Sequence, residues 1–92
     1  MNLPFTQTVQ SESFYIRKFS ELTCMDELMW HRDEDDRTVT CKYHTDWMMQ
    51  LENSLPIKIG ETEIFIPANT WHRLIKGTGD LEVQIRINNK DE

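Results

Sequence analysis

The stretch Trp30–Arg37 carries the densest group of side chains that could do chemistry. His31 and Asp33 lie two positions apart, so in a β-strand they point to the same face, because side chains repeat every two residues. An imidazole and a carboxylate side by side can bind the same divalent metal ion, and the later stretch Pro67–Arg73 offers His72 as a third ligand. Two histidines and one carboxylate form the facial triad of non-haem Fe(II) sites, which leaves coordination positions open for substrate and oxygen. The sequence therefore offers these three residues as a candidate metal site.

The same residues also have an interpretation without a metal. His31 and His72 can line a polar end of the domain as hydrogen-bonded side chains. The acidic run Asp33–Asp36 is typical of a solvated loop, because adjacent carboxylates repel one another and favour water. In the functional interpretation Asp33 faces a pocket, and Asp36 is an additional site residue that pairs with a neighbouring arginine. Both interpretations stay open from the sequence.

Three further polar side chains are candidates for binding a small molecule. Arg37 and Arg73 come directly after the two histidine-containing motifs, where they are either surface charges or a bidentate clamp for a carboxylate or phosphate. Gln50 lies in an apolar alternation, on the face opposite Trp47 and Met49, and is either exposed or directed into a pocket. The substrate-binding candidates are therefore Arg37, Gln50 and Arg73.

The elements that must position these residues follow from the apolar pattern. Apolar residues mostly alternate with polar ones, as in strands with one face on a core and the other in solvent. Turn-forming residues separate about eight such runs, at the spacing typical of a sandwich or barrel, so the predicted fold class is all-β. Near Ser20 the spacing predicts at most one helical turn, then a strand from about Glu27. The alternating apolar positions are Phe14 and Ile16; Val39, Cys41 and Tyr43; Trp47, Met49 and Leu51; Leu55, Ile57 and Ile59; and Leu81, Val83, Ile85 and Ile87.

Length and charge limit the classes of partner. A chain of 92 residues predicts one domain over 1–92, with 1–12 and 88–92 as flexible or edge arms. The net charge of −6 argues against nucleic acid or an anionic membrane as partner, because both select basic surfaces. Without a membrane-length apolar run or signal-peptide features, we expect a cytoplasmic protein with reduced Cys24 and Cys41. The small core, exposed sheet edges and three tryptophans, expected in the core or at an interface, predict a homodimer.

The segment that ends at His72 resembles the second motif of the cupins, in which glycine and a short strand precede Pro-x-Gly-x-x-His. Gly60 is followed by a short predicted strand, Pro67 begins the final part, and His72 ends it. Asn69 stands where glycine is usual, and asparagine tolerates the same left-handed backbone. The second motif therefore matches well.

The first cupin motif is His-x-His with a glutamate four or five positions further on. Here His31 matches the first histidine and Asp33 replaces the second. The glutamate position falls on Arg37 or Thr38, so the first motif is degenerate.

The resemblance covers about residues 14 to 87 and implies a double-stranded β-helix, or jelly roll, with a pocket at one end of the barrel. Cupins commonly bind Fe, Mn, Ni or Zn, so the resemblance implies a divalent metal on His31 and His72 with Asp33 as a changed ligand, although metal-free cupins exist. No glycine-rich phosphate loop is present, so no nucleotide cofactor is expected. The chain is also similar to short cupin-like proteins of phage genomes.

Cupin activities span dioxygenases, isomerases, epimerases and plain binding, and three functions stay open. The first is a metal-dependent enzyme in which Arg37 or Arg73 orients an acidic substrate for oxygenation or isomerisation. The second is a module that binds or sequesters a small molecule without turnover, which the degenerate first motif favours. The third is a protein-interaction subunit with a vestigial pocket.

Overall fold

The computed structural model describes residues 5–24 and 28–88. Within these ranges the chain forms β-strands and one short 3-10 helix, Ile59–Glu61, without an α-helix, and the predicted all-β class is confirmed. Residues 1–4 and 89–92 of the two predicted arms lie outside the described residues. Most of the rest of the N-terminal arm forms a strand. The strands are β1 (Phe5–Ser11), β2 (Phe14–Phe19), β3 (Asp36–Thr40), β4 (Met48–Leu51), β5 (Ile57–Lys58), β6 (Ile64–Ile66), β7 (His72–Ile75) and β8 (Leu81–Asn88).

The strands form two antiparallel sheets. The larger sheet has the order β1-β2-β8-β3-β6, and the smaller has the order β5-β4-β7. A single bridge between His31 and His72 adds one residue of the irregular segment before β3 to the free side of β7. Strand β1 is one edge of the larger sheet, and it pairs only with β2. In the part of the chain that the structure describes, no helix is both long enough and apolar enough to span a membrane.

The core lies between the two sheets and is built on the alternation of β4 and β8. Trp47 is fully buried, and its indole N–H donates a hydrogen bond to the Gly79 carbonyl oxygen at 2.9 Å. The other two tryptophans do not join the core, because Trp30 and Trp71 are 38% and 43% exposed. The buried apolar side chains are Phe19, Leu28, Val39, Trp47, Met49, Ile59, Ile64, Ile66, Leu74, Leu81, Val83 and Ile85.

Strand β2 packs the face with Tyr15, Arg17 and Phe19 against the core. The alternation of Phe14 and Ile16 predicted the opposite face. The register pairs Arg17 with Val83, a buried residue of β8, and Phe19 with buried Leu81. Phe14 instead lies on the outer side, where the Arg86 guanidinium stacks over its ring at 5.3 Å. The inward face of β2 therefore carries an arginine, which becomes important at the site below.

Other expectations for single segments need correction. Tyr43 and Leu55 lie outside the strands and are 63% and 84% exposed, because the strands before and after them are shorter than the alternation. The helical turn expected near Ser20 is a hydrogen-bonded turn, in which the Ser20 carbonyl accepts from the Thr23 N–H at 3.0 Å. Glu27, where a strand was expected to begin, lies outside the described residues. Both cysteines are free thiols.

Candidate metal centre

A tight turn delivers His72 to the first position of β7. Pro67 begins the turn, the Thr70 N–H donates to the Pro67 carbonyl at 3.3 Å, and Asn69 has φ 62°. This left-handed backbone is the conformation that asparagine tolerates best among residues with a side chain, in agreement with its place at the usual glycine position. His72 itself is only 4% exposed.

The acidic loop before β3 is fixed to this turn by two hydrogen bonds. The Asn69 N–H donates to the Asp33 carbonyl at 2.6 Å, and the Ala68 N–H donates to Asp36 Oδ1 at 2.8 Å. Asp36 therefore holds the turn through its carboxylate. The side chain of Asp33 is left to face inward.

His31 is brought opposite His72 by the isolated bridge. The His31 N–H donates to the His72 carbonyl at 3.0 Å, and the His72 N–H donates to the His31 carbonyl at 2.8 Å. Residues directly opposite in an antiparallel pair have side chains on the same face. The two imidazole centroids are 4.2 Å apart, in an edge-to-face arrangement.

Local backbone carbonyls orient both rings and select their tautomer. His72 Nδ1 lies 2.8 Å from the Thr70 carbonyl oxygen, and His31 Nδ1 lies 3.3 Å from the Met29 carbonyl oxygen. Because a carbonyl only accepts hydrogen bonds, Nδ1 carries the proton in each ring. In the neutral rings Nε2 therefore presents a lone pair, as in metal-binding histidines whose other nitrogen is held by a backbone carbonyl.

The Asp33 carboxylate completes the cluster. Its Oδ2 atom lies 3.4 Å from His72 Nε2 and 3.6 Å from Arg37 Nη1. Arg37 is itself held by Asp35, whose Oδ1 accepts from Arg37 Nε at 2.8 Å. Arg37 thus links two carboxylates of the acidic loop and fixes Asp33 beside the histidines.

Burial is the largest influence on the ionisation of His72, and it lowers the pKa of the imidazole. The Thr70 carbonyl and Asp33 act in the opposite direction, whereas His31 and Arg37 also lower the pKa. His72 is therefore neutral over a wider pH range than an exposed histidine, which is the form that binds a metal.

Two cavities meet at this cluster. The inner cavity, of about 50 Å³, lies inside the barrel and is lined by the three cluster residues, Arg37 and apolar core side chains. The outer cavity, of about 370 Å³, opens at the mouth of the barrel. Arg17, His31 and Asp33 line both cavities, so the cluster lies at their junction. The outer cavity is lined by Phe5, Arg17, Phe19, Leu28, Met29, Trp30, His31, Asp33 and Leu74.

Arg17 is the site residue that sequence reasoning missed. Both faces of β2 carry aromatic or aliphatic side chains, so the sequence does not show which face is buried. The register of β2 with β8 directs Arg17 inward. The sequence signal for this was that Arg17 shares a strand face with the aromatic residues Tyr15 and Phe19. Phe14 and Ile16 form an equally apolar pattern on the other face.

Two of the predicted substrate-binding residues lie elsewhere. Arg73 donates to Gln50 Oε1 from Nε at 3.0 Å and from Nη2 at 2.8 Å, and Gln50 Nε2 donates to the Ser54 carbonyl at 3.0 Å. Both residues neighbour one another on β4 and β7 and line neither cavity. The Arg73 guanidinium lies 4.9 Å from the centroid of the Trp30 ring, and Trp30 lines the outer cavity.

The three cluster residues fit a divalent metal ion. One ligand atom from each of His31, Asp33 and His72 lies within 4.8 Å of the others. Two ligands bonded at about 2.1 Å with ordinary coordination angles have donor atoms about 3.0–3.4 Å apart, and the Asp33–His72 separation is already 3.4 Å. Two neutral imidazoles and a carboxylate are also a donor set that suits Fe, Mn, Ni or Zn.

Comparison with known proteins identifies the architecture. No protein-family model matches the chain, and no curated protein matches it by sequence. Its structure is similar to that of the DMSP lyase DddQ from Ruegeria pomeroyi DSS-3, with a TM-score of 0.71 and 10% identity over 97% of this chain and 49% of DddQ. An RmlC-like cupin family protein with a double-stranded β-helix fold from Methanocaldococcus jannaschii gives a TM-score of 0.62 and 14% identity, over 94% of this chain and 82% of that protein. FeII HppE in complex with substrate gives a TM-score of 0.63 and 15% identity, over 97% and 55% of the two chains.

These similarities confirm the double-stranded β-helix fold that the resemblance to the cupin motifs implied. The chain is a small double-stranded β-helix, and it spans only 49% of the length of DddQ and 40% of a chain from the crystal structures of the DMSP lyases RdDddP and RnDddQII.

Proposed function

We propose that this cupin binds one divalent metal ion through His31, Asp33 and His72, and binds a small molecule in the adjoining cavities. The observation that carries the proposal is the convergence of the three ligand atoms within 4.8 Å at the junction of the two cavities. The carbonyls and the arginine behind these ligands support it further, because metal ligands commonly have a second layer of hydrogen bonds that orients the rings and sets their tautomer.

Each protein group has a defined task in this proposal. The Thr70 and Met29 carbonyls hold the two imidazoles with Nε2 directed at the ion, and Arg37 holds the Asp33 carboxylate. Three protein ligands leave coordination positions open, and the bound metal would supply Lewis-acid or redox chemistry there. The outer cavity places a small molecule beside those positions, so oxygenation or isomerisation is the chemistry that we propose. Iron is our first candidate, because a structural neighbour, HppE, is described with FeII.

Metal uptake by matched variants tests the proposal. The purified protein is equilibrated without oxygen with Fe(II), Mn(II), Ni(II) or Zn(II), and bound metal is measured by elemental analysis after gel filtration. We expect about one ion per chain, with His72→Ala and Asp33→Asn losing it. His44→Ala removes an exposed histidine outside the cluster, and Glu34→Gln removes an exposed acid from the same loop, so both should keep the metal. Equal uptake by Asp33→Asn and Glu34→Gln would contradict the assignment.

A metal-free binding module is the second candidate. The observation that favours it is the ion pair between Asp33 Oδ2 and Arg37 Nη1 at 3.6 Å, which balances the charge of the carboxylate within the protein. In that case none of the four metals binds, and a small molecule occupies the same cavities with His31 and His72 as hydrogen-bonding groups.

A further inference from the structure

Two arginines face the candidate metal centre, and they differ in their partners. Arg37 is engaged by the carboxylates of Asp35 and Asp33. Arg17 reaches the site from β2, which flanks β8 on the side opposite to the Arg37 strand β3, and it lines both cavities. The two guanidinium groups act on each other electrostatically, and burial together with Arg37 lowers the pKa of Arg17, whereas the Asp33 carboxylate and Tyr15 act in the opposite direction. An arginine nevertheless stays protonated at neutral pH, so the cavity contains a fixed positive charge.

The contacts of Arg17 hold one side of its guanidinium and leave the other free. Its Nε donates to Gln7 Oε1 at 2.5 Å, and the Phe5 ring stacks against the group at 4.2 Å from the ring centroid. Among residues 5–24 and 28–88, its two Nη groups have no hydrogen-bond acceptor in the protein. Two Nη groups side by side match the geometry of a carboxylate, which binds a guanidinium in bidentate fashion.

The surroundings of this free edge indicate what kind of anion fits. Asp33 lines the same cavity and acts on Arg17 electrostatically, but no carboxylate of the described residues accepts a hydrogen bond from the Arg17 Nη groups. One such guanidinium edge can receive one carboxylate, whereas a dianion would need further donors. The outer cavity is otherwise largely apolar, with Phe19, Leu28 and Leu74 among its lining residues. Its volume of about 370 Å³ is at the lower end of the range for small-molecule pockets.

We propose that Arg17 binds the carboxylate of a small monocarboxylic acid, whose apolar part packs against the aromatic and aliphatic wall of the outer cavity. A carboxylate on Arg17 places the neighbouring carbon atoms beside the cluster of His31, Asp33 and His72. That these atoms would react there rests on the proposed function. Arg17 is then the residue that selects substrates by charge, while Arg37 positions the metal ligand Asp33.

The test compares hexanoate with hexanamide, two probes of the same shape that differ in charge. Binding is followed by titration in two-dimensional amide NMR spectra, with metal-free and Zn(II)-loaded protein. We expect hexanoate to bind about tenfold or more tightly than hexanamide in both forms, since hydrogen bonds to charged groups are the strong ones. Because a metal ion can itself attract a carboxylate, the metal-free form isolates the contribution of Arg17. Hexylphosphonate is the third probe, and it tests whether the site prefers a phosphonate to a carboxylate.

Arg86→Gln is the matched control for Arg17→Gln. Arg86 is also an arginine that stacks on a phenylalanine: its guanidinium lies over Phe14 across the β2–β8 pair, on the outer side of the barrel. Arg17→Gln should remove the preference for hexanoate, and Arg86→Gln should keep it. Arg17→Lys, which retains the charge without the planar pair of donors, should show an intermediate preference.

The outcomes separate this inference from the proposed function. Equal binding of hexanoate and hexanamide by the metal-free native chain, or no binding of hexanoate, overturns the inference without any variant. Tighter binding of hexylphosphonate than of hexanoate overturns the assignment to a carboxylate. Failure of the chain to take up any metal refutes the proposed function, while the hexanoate preference of the metal-free protein is still measured.

Discussion

Substitution of Gly77 by alanine should destabilise the fold strongly, because the space for a side chain is taken by backbone. A Cβ atom at this position would lie 2.7 Å from the Trp47 backbone nitrogen and 2.8 Å from the Asp46 carbonyl carbon, and would also meet Asp46 Oδ1. The side chain of Asp46 could rotate away, but it accepts the Thr78 N–H at 2.7 Å. The backbone of Trp47 cannot move without displacing an indole that is fully buried.

The magnitude follows from the kind of atom that must shift. Overpacking of a well-packed core typically costs about 1–3 kcal/mol, and contacts with backbone belong at the upper end, so we expect a loss of about 3 kcal/mol. In a domain of this size each kcal/mol corresponds to about 4–8 °C in melting temperature, so Gly77→Ala should melt at least about 12 °C lower.

Thermal unfolding followed by circular dichroism measures this loss, with Gly79→Ala as the control. Gly79 has φ 78°, and a Cβ atom added there would meet only Glu21 Oε1, at 3.9 Å, so alanine at this position introduces backbone strain without a clash. We expect that control to cost about 1 kcal/mol. If the two variants melted at the same temperature, steric exclusion at Gly77 would not be the cause and the reasoning would be refuted.

Three further predictions concern the metal, pH and assembly. Zn(II) at about 100 times its Kd should stabilise the native chain by about 2.7 kcal/mol, measured as a rise in melting temperature that Asp33→Asn abolishes and Glu34→Gln retains. The Thr78 backbone N–H lowers the pKa of Asp46 below its ordinary value of 3.8, so the stability from this carboxylate is present above pH 3.8 and is lost as pH falls through the lower native pKa. Asp46→Asn should therefore flatten the acid-denaturation curve below about pH 4, and an unchanged curve would contradict this. Sedimentation equilibrium at micromolar concentration should give a dimer of the 11.0 kDa chain, and a monomer alone would refute the predicted homodimer.

The sequence was informative where one local pattern had one structural solution. The β8 alternation, with Leu81, Val83 and Ile85 buried, and the Pro67–His72 turn, with left-handed Asn69, follow from side-chain period and backbone preference alone. Alternation of this kind predicts the all-β class, and the resemblance of the Pro67–His72 segment to the second cupin motif implies the jelly roll.

The remaining features depend on long-range pairing that no local pattern contains. Both faces of β2 carry apolar side chains, so only its register with β8 decides that Arg17 points inward. Gln50 and Arg73 are 23 positions apart, and only the pairing of β4 with β7 makes them partners of each other. The segment before β3 follows neither helix nor strand periodicity, because a single bridge at His31 holds it to the sheet.

That bridge has a consequence for how the affinity for a metal arises. His31 and His72 are about forty residues apart in the chain, and closing a loop of this length costs conformational entropy. In a zinc finger the ion itself offsets that cost, so the metal-free chain is unfolded. Here two backbone hydrogen bonds and the packing of the barrel contribute to closing the loop independently of an ion. At the proposed metal site the binding energy of an ion would be available for affinity rather than for folding, and a chelator should remove a bound ion reversibly from a chain that keeps its native structure.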